Sequence, residues 1–110
     1  MKLKALLPTL REKKRYIVFE VISKGIISQK AAHQAISIEL QRFLGEFGMA
    51  KAGVIILKDW VKNKGILRVS NKEVDTVKSA IMLAKGKDFA FKTIAVSGSL
   101  NKLRNRIKEE

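Results

Sequence analysis

Two short apolar runs with almost nothing between them constrain this chain most. Gly53 to Trp60, GVIILKDW, and Lys64 to Ser70, KGILRVS, both read as strands, and only residues 61–64 connect them. So short a link joins two strands as an antiparallel hairpin, because a parallel pair needs a long crossover. The flanking segments are matched. Upstream, RYIVFEVI at 15–22 is dense in β-branched and aromatic residues and stops at Ser23-Lys24-Gly25, a first strand and its turn. Ser28 is then placed to cap a helix in which Ala32, Ile36, Leu40, Phe43, Leu44 and Phe47 recur at spacings of three and four, with Lys30, Gln34, Ser37 and Gln41 opposite. Gly45 and Gly48 are the expected exit from it.

Downstream of the hairpin, Ser70 and Glu73 have the spacing of a capping box, and Val74, Val77, Ile81 and Ala84 form the stripe of a second helix that Gly86 closes. DFAFKTIAV at 88–96 is a fourth strand, broken by SGS at 97–99. Leu100, Leu103 and Ile107 then line one side of a final short helix whose other positions carry Lys102, Arg104, Arg106 and Lys108. Strand, helix, strand, strand, helix, strand is the order of an α+β, ferredoxin-like (RRM-like) βαββαβ sandwich, with both helices on one face of a four-stranded antiparallel sheet. The division expected is a basic arm at 1–14, the sandwich at 15–98 and a basic C-terminal helix at 99–110 belonging to the same compact unit. The second face of the sheet has three possible occupants: RNA, a protein, or the tail helix.

Charge narrows the partners. The 110 residues carry 23 Lys+Arg against 10 Asp+Glu, a net of +13. A small domain with that field is drawn to polyanions, of which nucleic acid is the commonest. The first 15 residues alone hold Lys2, Lys4, Arg11, Lys13, Lys14 and Arg15 against Glu12. Two readings of that arm stand: a solvated lysine-rich segment, or a set of phosphate contacts with steep salt dependence. There is no cysteine, hence no disulfide framework or thiol nucleophile, and no apolar stretch near the roughly 20 residues of a membrane span. The N-terminal apolar stretch before Pro8 is too short for a signal peptide, so a cytoplasmic location is expected.

Catalytic chemistry finds little support. A metal-dependent nuclease needs converging carboxylates, whereas the ten acids here are scattered, and the close pair Glu73 and Asp75 fits the first turn of a helix through its dipole. His33 is the sole histidine and falls near the polar flank of the first helix, where an ordinary solvated histidine is expected. Gly45, Gly48 and Gly53 lie between a helix and a strand, the reverse of the order that cradles phosphate. No catalytic residue, metal ligand or bound cofactor is expected in this chain.

RRM domains read K/R-G-F/Y-G/A-F-V-x-F/Y along their third strand and stack bases on its aromatics. KGILRVS matches at Lys64, Gly65 and Val69 but places Ile66 and Arg68 at the stacking positions. The standard stacking platform is therefore missing. Arg68 either contacts RNA, through phosphate or by lying flat on a base, or solvates an open sheet face or pairs with Glu20.

Taken together, LREKKRYIVFEV at 10–21, the GILRV strand after the hairpin and SGSLNKLR after the last strand resemble the archaeal ribonuclease P protein component 2 family, from Leu10 to about Arg106. The resemblance implies a protein subunit of the ribonucleoprotein that removes the 5′ leader of precursor tRNA. It also implies an RNA subunit that performs the hydrolysis with its own bound Mg²⁺, and pairing with ribonuclease P protein component 3. This chain would then be noncatalytic alone, support the RNA and meet precursor tRNA only indirectly. The RNA contacts expected are Arg11, Lys13, Lys14, Arg15, Lys64, Arg68, Lys102, Arg104 and Arg106. A basic segment abutting a strand is held in a fixed orientation and meets RNA at a lower ordering cost than a free tail. Two other readings compete: a protein-binding scaffold that only grazes RNA, and a self-sufficient nuclease dependent on Asp59 or Asp88.

Overall fold

The computed structural model describes residues 13–86 and 88–109. Most of the arm, including Arg11, lies outside the described residues. Strands β1 (Lys14–Ile22), β2 (Ile55–Val61), β3 (Lys64–Ser70) and β4 (Ala90–Ser97) form one antiparallel sheet in the order β2-β3-β1-β4. Helices α1 (Gln29–Ala52) and α2 (Val74–Leu83) lie on one face, and α3 (Leu100–Glu109) lies on the other. This is the ferredoxin-like arrangement the element order predicts, extended by a third layer.

Alternation along the strands feeds two cores. Ile17, Phe19, Val21, Leu67, Val69 and Phe91 point to the first face and pack on Ala32, Ile36 and Leu40 of α1 and Val77, Ala80 and Ile81 of α2. Val18 and Ile66 point to the second face, where Leu103 and Ile107 of α3 bury them completely. A bulge brings one extra residue of β4 into play: Val18 pairs with Ala95 and Phe19 with Thr93, so that Ile94 and Ala95 both pack against the α3 cluster. The tail helix is thus the occupant of the second face.

The hairpin forms as expected and turns on two residues with positive φ, Lys62 (49°) and Asn63 (64°), the conformation whose twist matches paired strands. Asn63 is well suited to it, because its side chain accepts from the Ile27 N–H at 3.0 Å and donates to the Gly25 carbonyl at 3.0 Å. Its own carbonyl accepts from the Val21 N–H at 2.7 Å. One residue thereby ties the hairpin to the loop between β1 and α1.

Three local expectations need correction. The first helix breaks at Gly45, as expected, where the backbone is non-helical (φ 71°, ψ 175°), but helix resumes beyond it with Gly48 inside. The two segments span 24 residues and stop at Gly53, whose left-handed backbone lets its N–H donate to the Met49 carbonyl. Beyond the bend Met49 and Ala52 keep the inward stripe, while Phe47 beyond it and Phe43 before it are left exposed. The capping box does not close either: Ser70 is buried, caps a short 3-10 turn (Asn71–Glu73) without a side-chain cap bond, and the Glu73 carboxylate pairs instead with Lys51 at 3.5 Å. Finally, α2 ends at Leu83, because Ala84 turns to extended backbone and is buried. Gly86 serves the following turn, where its N–H donates to the Phe89 carbonyl.

Candidate nucleic-acid interface

The face on which RRM domains stack bases is closed here. Ile66, at the first stacking position, has no exposed surface beneath Leu103 and Ile107. The matching glycine has a packing role. Gly65 sits between Phe19 on β1 and Trp60 on β2, directly opposite both in register. A Cβ added there would lie 2.7 Å from Phe19 Cζ and 3.1 Å from Trp60 Cε3. The two rings lie over the strand and use the space a side chain would need.

The expected cations fall into four environments. Lys64 is buried, 6% exposed, opposite Glu20 in the register of β1 and β3, so a phosphate has no access to it from solvent. Glu20 forms its ion pair with Lys92 of β4 at 3.2 Å and not with Arg68. Arg68 stands in register with Tyr16 and Ile55, half-buried, with its Nε shielded and unpartnered. Arg104 is turned onto β2: its Nε donates to Asp59 Oδ2 at 2.8 Å and its Nη2 to Oδ1 at 3.3 Å, a two-pronged pair.

The remaining cations lie at the start of β1 and along α3. Lys13 is exposed, and its carbonyl, accepting from the Asn71 N–H at 2.9 Å, anchors the backbone there. Lys14 opens β1 with its Nζ near Gly53, and the Arg15 guanidinium lies against Gly98 at the junction of β4 and α3. Tyr16 pairs with Ser97, so α3 begins at the end of the sheet where Lys14 and Arg15 stand. From there α3 carries Lys102 and Arg106, four residues apart on one helical side and both exposed. The start of β1 and the start of α3 thus lie at the same end of the sheet.

The opposite surface differs in kind. Helices α1 and α2 carry four cations (Lys30, Arg42, Lys51, Lys78) against three carboxylates (Glu39, Glu46, Asp75), whereas the much shorter α3 carries four against one. Exposed Ile38, Phe43, Phe47, Met82 and Leu83 lie on that near-neutral layer. Sequence periodicity places Phe43 and Phe47 on the core stripe; Gly45 is the signal of the bend that leaves Phe47 outside, while Phe43, ahead of the bend, is partly exposed as well. The pairing of Asp59 with Arg104, 45 residues apart, left no local signal at all.

His33 also departs from expectation. It packs edge-on to Phe19 and Trp60 at centroid distances of 6.5 and 6.0 Å, and its Nε2 is buried without a hydrogen-bond partner. Desolvation lowers its pKa below the ordinary value. Among the described residues no three His, Cys, Asp or Glu side chains are placed to hold a metal ion, and no helix is long and apolar enough to cross a membrane.

Comparison with known proteins agrees with this architecture. The chain is 39% identical over 110 residues to ribonuclease P protein component 2 of Pyrococcus abyssi, a match covering 96% of this chain and 93% of the relative. It is 36% identical to the protein of the same name from Methanococcus maripaludis, with 94% and 82% of the two chains covered. For the Pyrococcus horikoshii protein of that name the figures are 35% identity and 96% and 91% coverage. A chain in the cryo-EM structure of yeast ribonuclease MRP shares the fold, with a TM-score of 0.64 at 18% identity over 89% of this chain and 88% of that one. The model of the Rpp14/Pop5 family matches residues 15–108. With sequence, strand order and family match in accord over nearly its whole length, the chain belongs to the Rpp14/Pop5 family.

Proposed function

We propose that this chain is a noncatalytic protein subunit of ribonuclease P that binds the RNA subunit and supports its removal of the 5′ leader from precursor tRNA. The observation that carries the reading is the match, along more than nine-tenths of the chain, to relatives named ribonuclease P protein component 2. The geometry supports a particular mode of binding. With the sheet face closed by α3, stacking of bases on the strands gives way to phosphate contacts from Lys13, Lys14 and Arg15 at the start of β1 and from Lys102 and Arg106 on α3. Arg11, expected in the same set, lies outside the described residues. Lys64 is left out by its burial, Arg68 contributes through its outer nitrogens, and Arg104 contributes through its hold on Asp59.

No step of the hydrolysis is assigned to this chain, and Mg²⁺ belongs to the RNA subunit in this reading. Protein component 3 is the protein partner. The near-neutral outer surface of α1 and α2, with exposed Ile38, Phe47 and Met82, has the chemistry of a protein contact more than that of a polyanion contact. That surface also favours the second reading, a scaffold with little direct RNA contact.

Reconstitution separates the two. Leader removal is scored with the RNA subunit alone, with this chain added, and with component 3 added as well. RNA affinity is measured against salt for the chain and for a variant with Lys13, Lys14, Arg15, Lys102 and Arg106 changed to Gln. Each lost phosphate contact lowers the slope of log affinity on log salt by about 0.7 to 0.9. A drop of two or more is expected, and an unchanged slope leaves the scaffold reading.

A further inference from the structure

We propose that Asp59 is a positioning residue for RNA: by gripping Arg104 it fixes α3 on the sheet so that Lys102 and Arg106 face outward as a rigid pair. The inference rests on the RNA reading above and assigns a role to a carboxylate that a polyanion site would otherwise exclude.

The need for such a grip follows from the helix itself. At 10 residues, α3 is shorter than helices that persist alone in water. Its own stripe is narrow: Leu103 and Ile107 are buried and Leu100 partly so. Apolar contact holds such a helix to the sheet but is not directional, so a small roll about its axis costs little burial. The pair with Asp59 is directional. Two N–H groups of a planar guanidinium meet the two oxygens of one carboxylate, at 2.8 and 3.3 Å, which sets both distance and orientation. Asp59 is also more shielded than Arg104, with side chains 21% and 43% exposed, and it stands on a strand and not on a loop. Lys102 and Arg106 flank Arg104 at two residues on either side, so their direction follows from its position.

The role makes a prediction opposite in sign to bulk electrostatics. Asp59→Asn removes a negative charge and raises the net charge above +13, which by field alone tightens binding to RNA. Loss of positioning weakens it, because the ordering of α3 is then charged to the binding step, an effect on the order of three- to tenfold. Affinity for ribonuclease P RNA is measured at one salt concentration for the full chain, Asp59→Asn, Arg104→Met and the double variant, with circular dichroism to confirm folding. Backbone hydrogen exchange of residues 100–109 is read in parallel.

The expected pattern is weaker binding for Asp59→Asn on the unmodified background and no further weakening on the Arg104→Met background, with faster exchange confined to α3. Equal or tighter binding by Asp59→Asn overturns the proposal, as does equal weakening on both backgrounds, while leaving the RNA reading intact. Absence of salt-dependent binding by the unmodified chain overturns the RNA reading and this role with it.

Discussion

Replacing Gly65 by Ala tests whether the K-G at the start of β3 belongs to an RNA-reading signature or to packing. The new methyl would stand 2.7 and 3.2 Å from Phe19 Cζ and Cε2 and 3.1 Å from Trp60 Cε3, against about 3.5–4.0 Å for carbons in favourable contact. Phe19 has little room to yield. It is fully buried, and Trp60, Phe91 and His33 stand around it at centroid distances of 6.3, 6.1 and 6.5 Å. Overpacking of this sort costs about 1–3 kcal/mol. Loss of glycine's freedom in the unfolded chain offsets about 0.4–1 kcal/mol of that. The net expectation is a destabilisation of about 1–2 kcal/mol, which in a domain near this size moves the midpoint of thermal unfolding down by roughly 4–15 °C.

Gly25 provides the control, since nothing lies within 4 Å of a Cβ there and its φ is not in the left-handed region. Gly25→Ala is therefore expected to be neutral or mildly stabilising. Urea and thermal unfolding of both variants, followed by circular dichroism, measure the difference. RNA affinity per folded molecule is expected to stay unchanged in Gly65→Ala. Equal stability of the two variants, or a selective loss of RNA affinity in a fully folded Gly65→Ala protein, refutes the packing argument.

Two further outcomes follow from single residues. Asn63→Ala removes one acceptor and one donor that tie the hairpin turn to Ile27 and Gly25 and leaves alanine at a φ of 64°. A loss of about 1–3 kcal/mol in denaturant unfolding is expected, and Asn63→Gly, which keeps the turn geometry but not the bonds, should recover part of it. His33, with its pKa lowered by desolvation, binds fewer protons folded than unfolded, so stability is full above the unfolded value near 6.5 and declines as pH falls toward the folded pKa. Thermal melts across pH 7.5 to 5 should show that decline, and His33→Leu should flatten it without loss at pH 7.5.

The order of elements was legible because its signals are local. β-Branched runs, a Ser28 hydroxyl oxygen that accepts from the Ala31 N–H, and the short connection at 61–64, which turns on Lys62 and Asn63, act within a few positions along the chain, and the structure keeps all of them. So did the charge: +13 is a property of composition and no folding alters it. The missing aromatics at Ile66 and Arg68 correctly removed the stacking platform from consideration.

Tertiary structure decided the rest, and the common reason is that burial and pairing depend on residues far apart in sequence. Whether α3 covers the sheet was open until Leu103 and Ile107 met Val18 and Ile66. Lys64 and Arg106 are equally cations in the sequence, yet one is buried within a strand and the other is exposed on α3. Arg104 became a structural tie only because β2 presents Asp59 beneath it. Gly45 breaks the helix as its local preference dictates, but helix resumes as far as Ala52 because Met49 and Ala52 pack against a core built from distant strands.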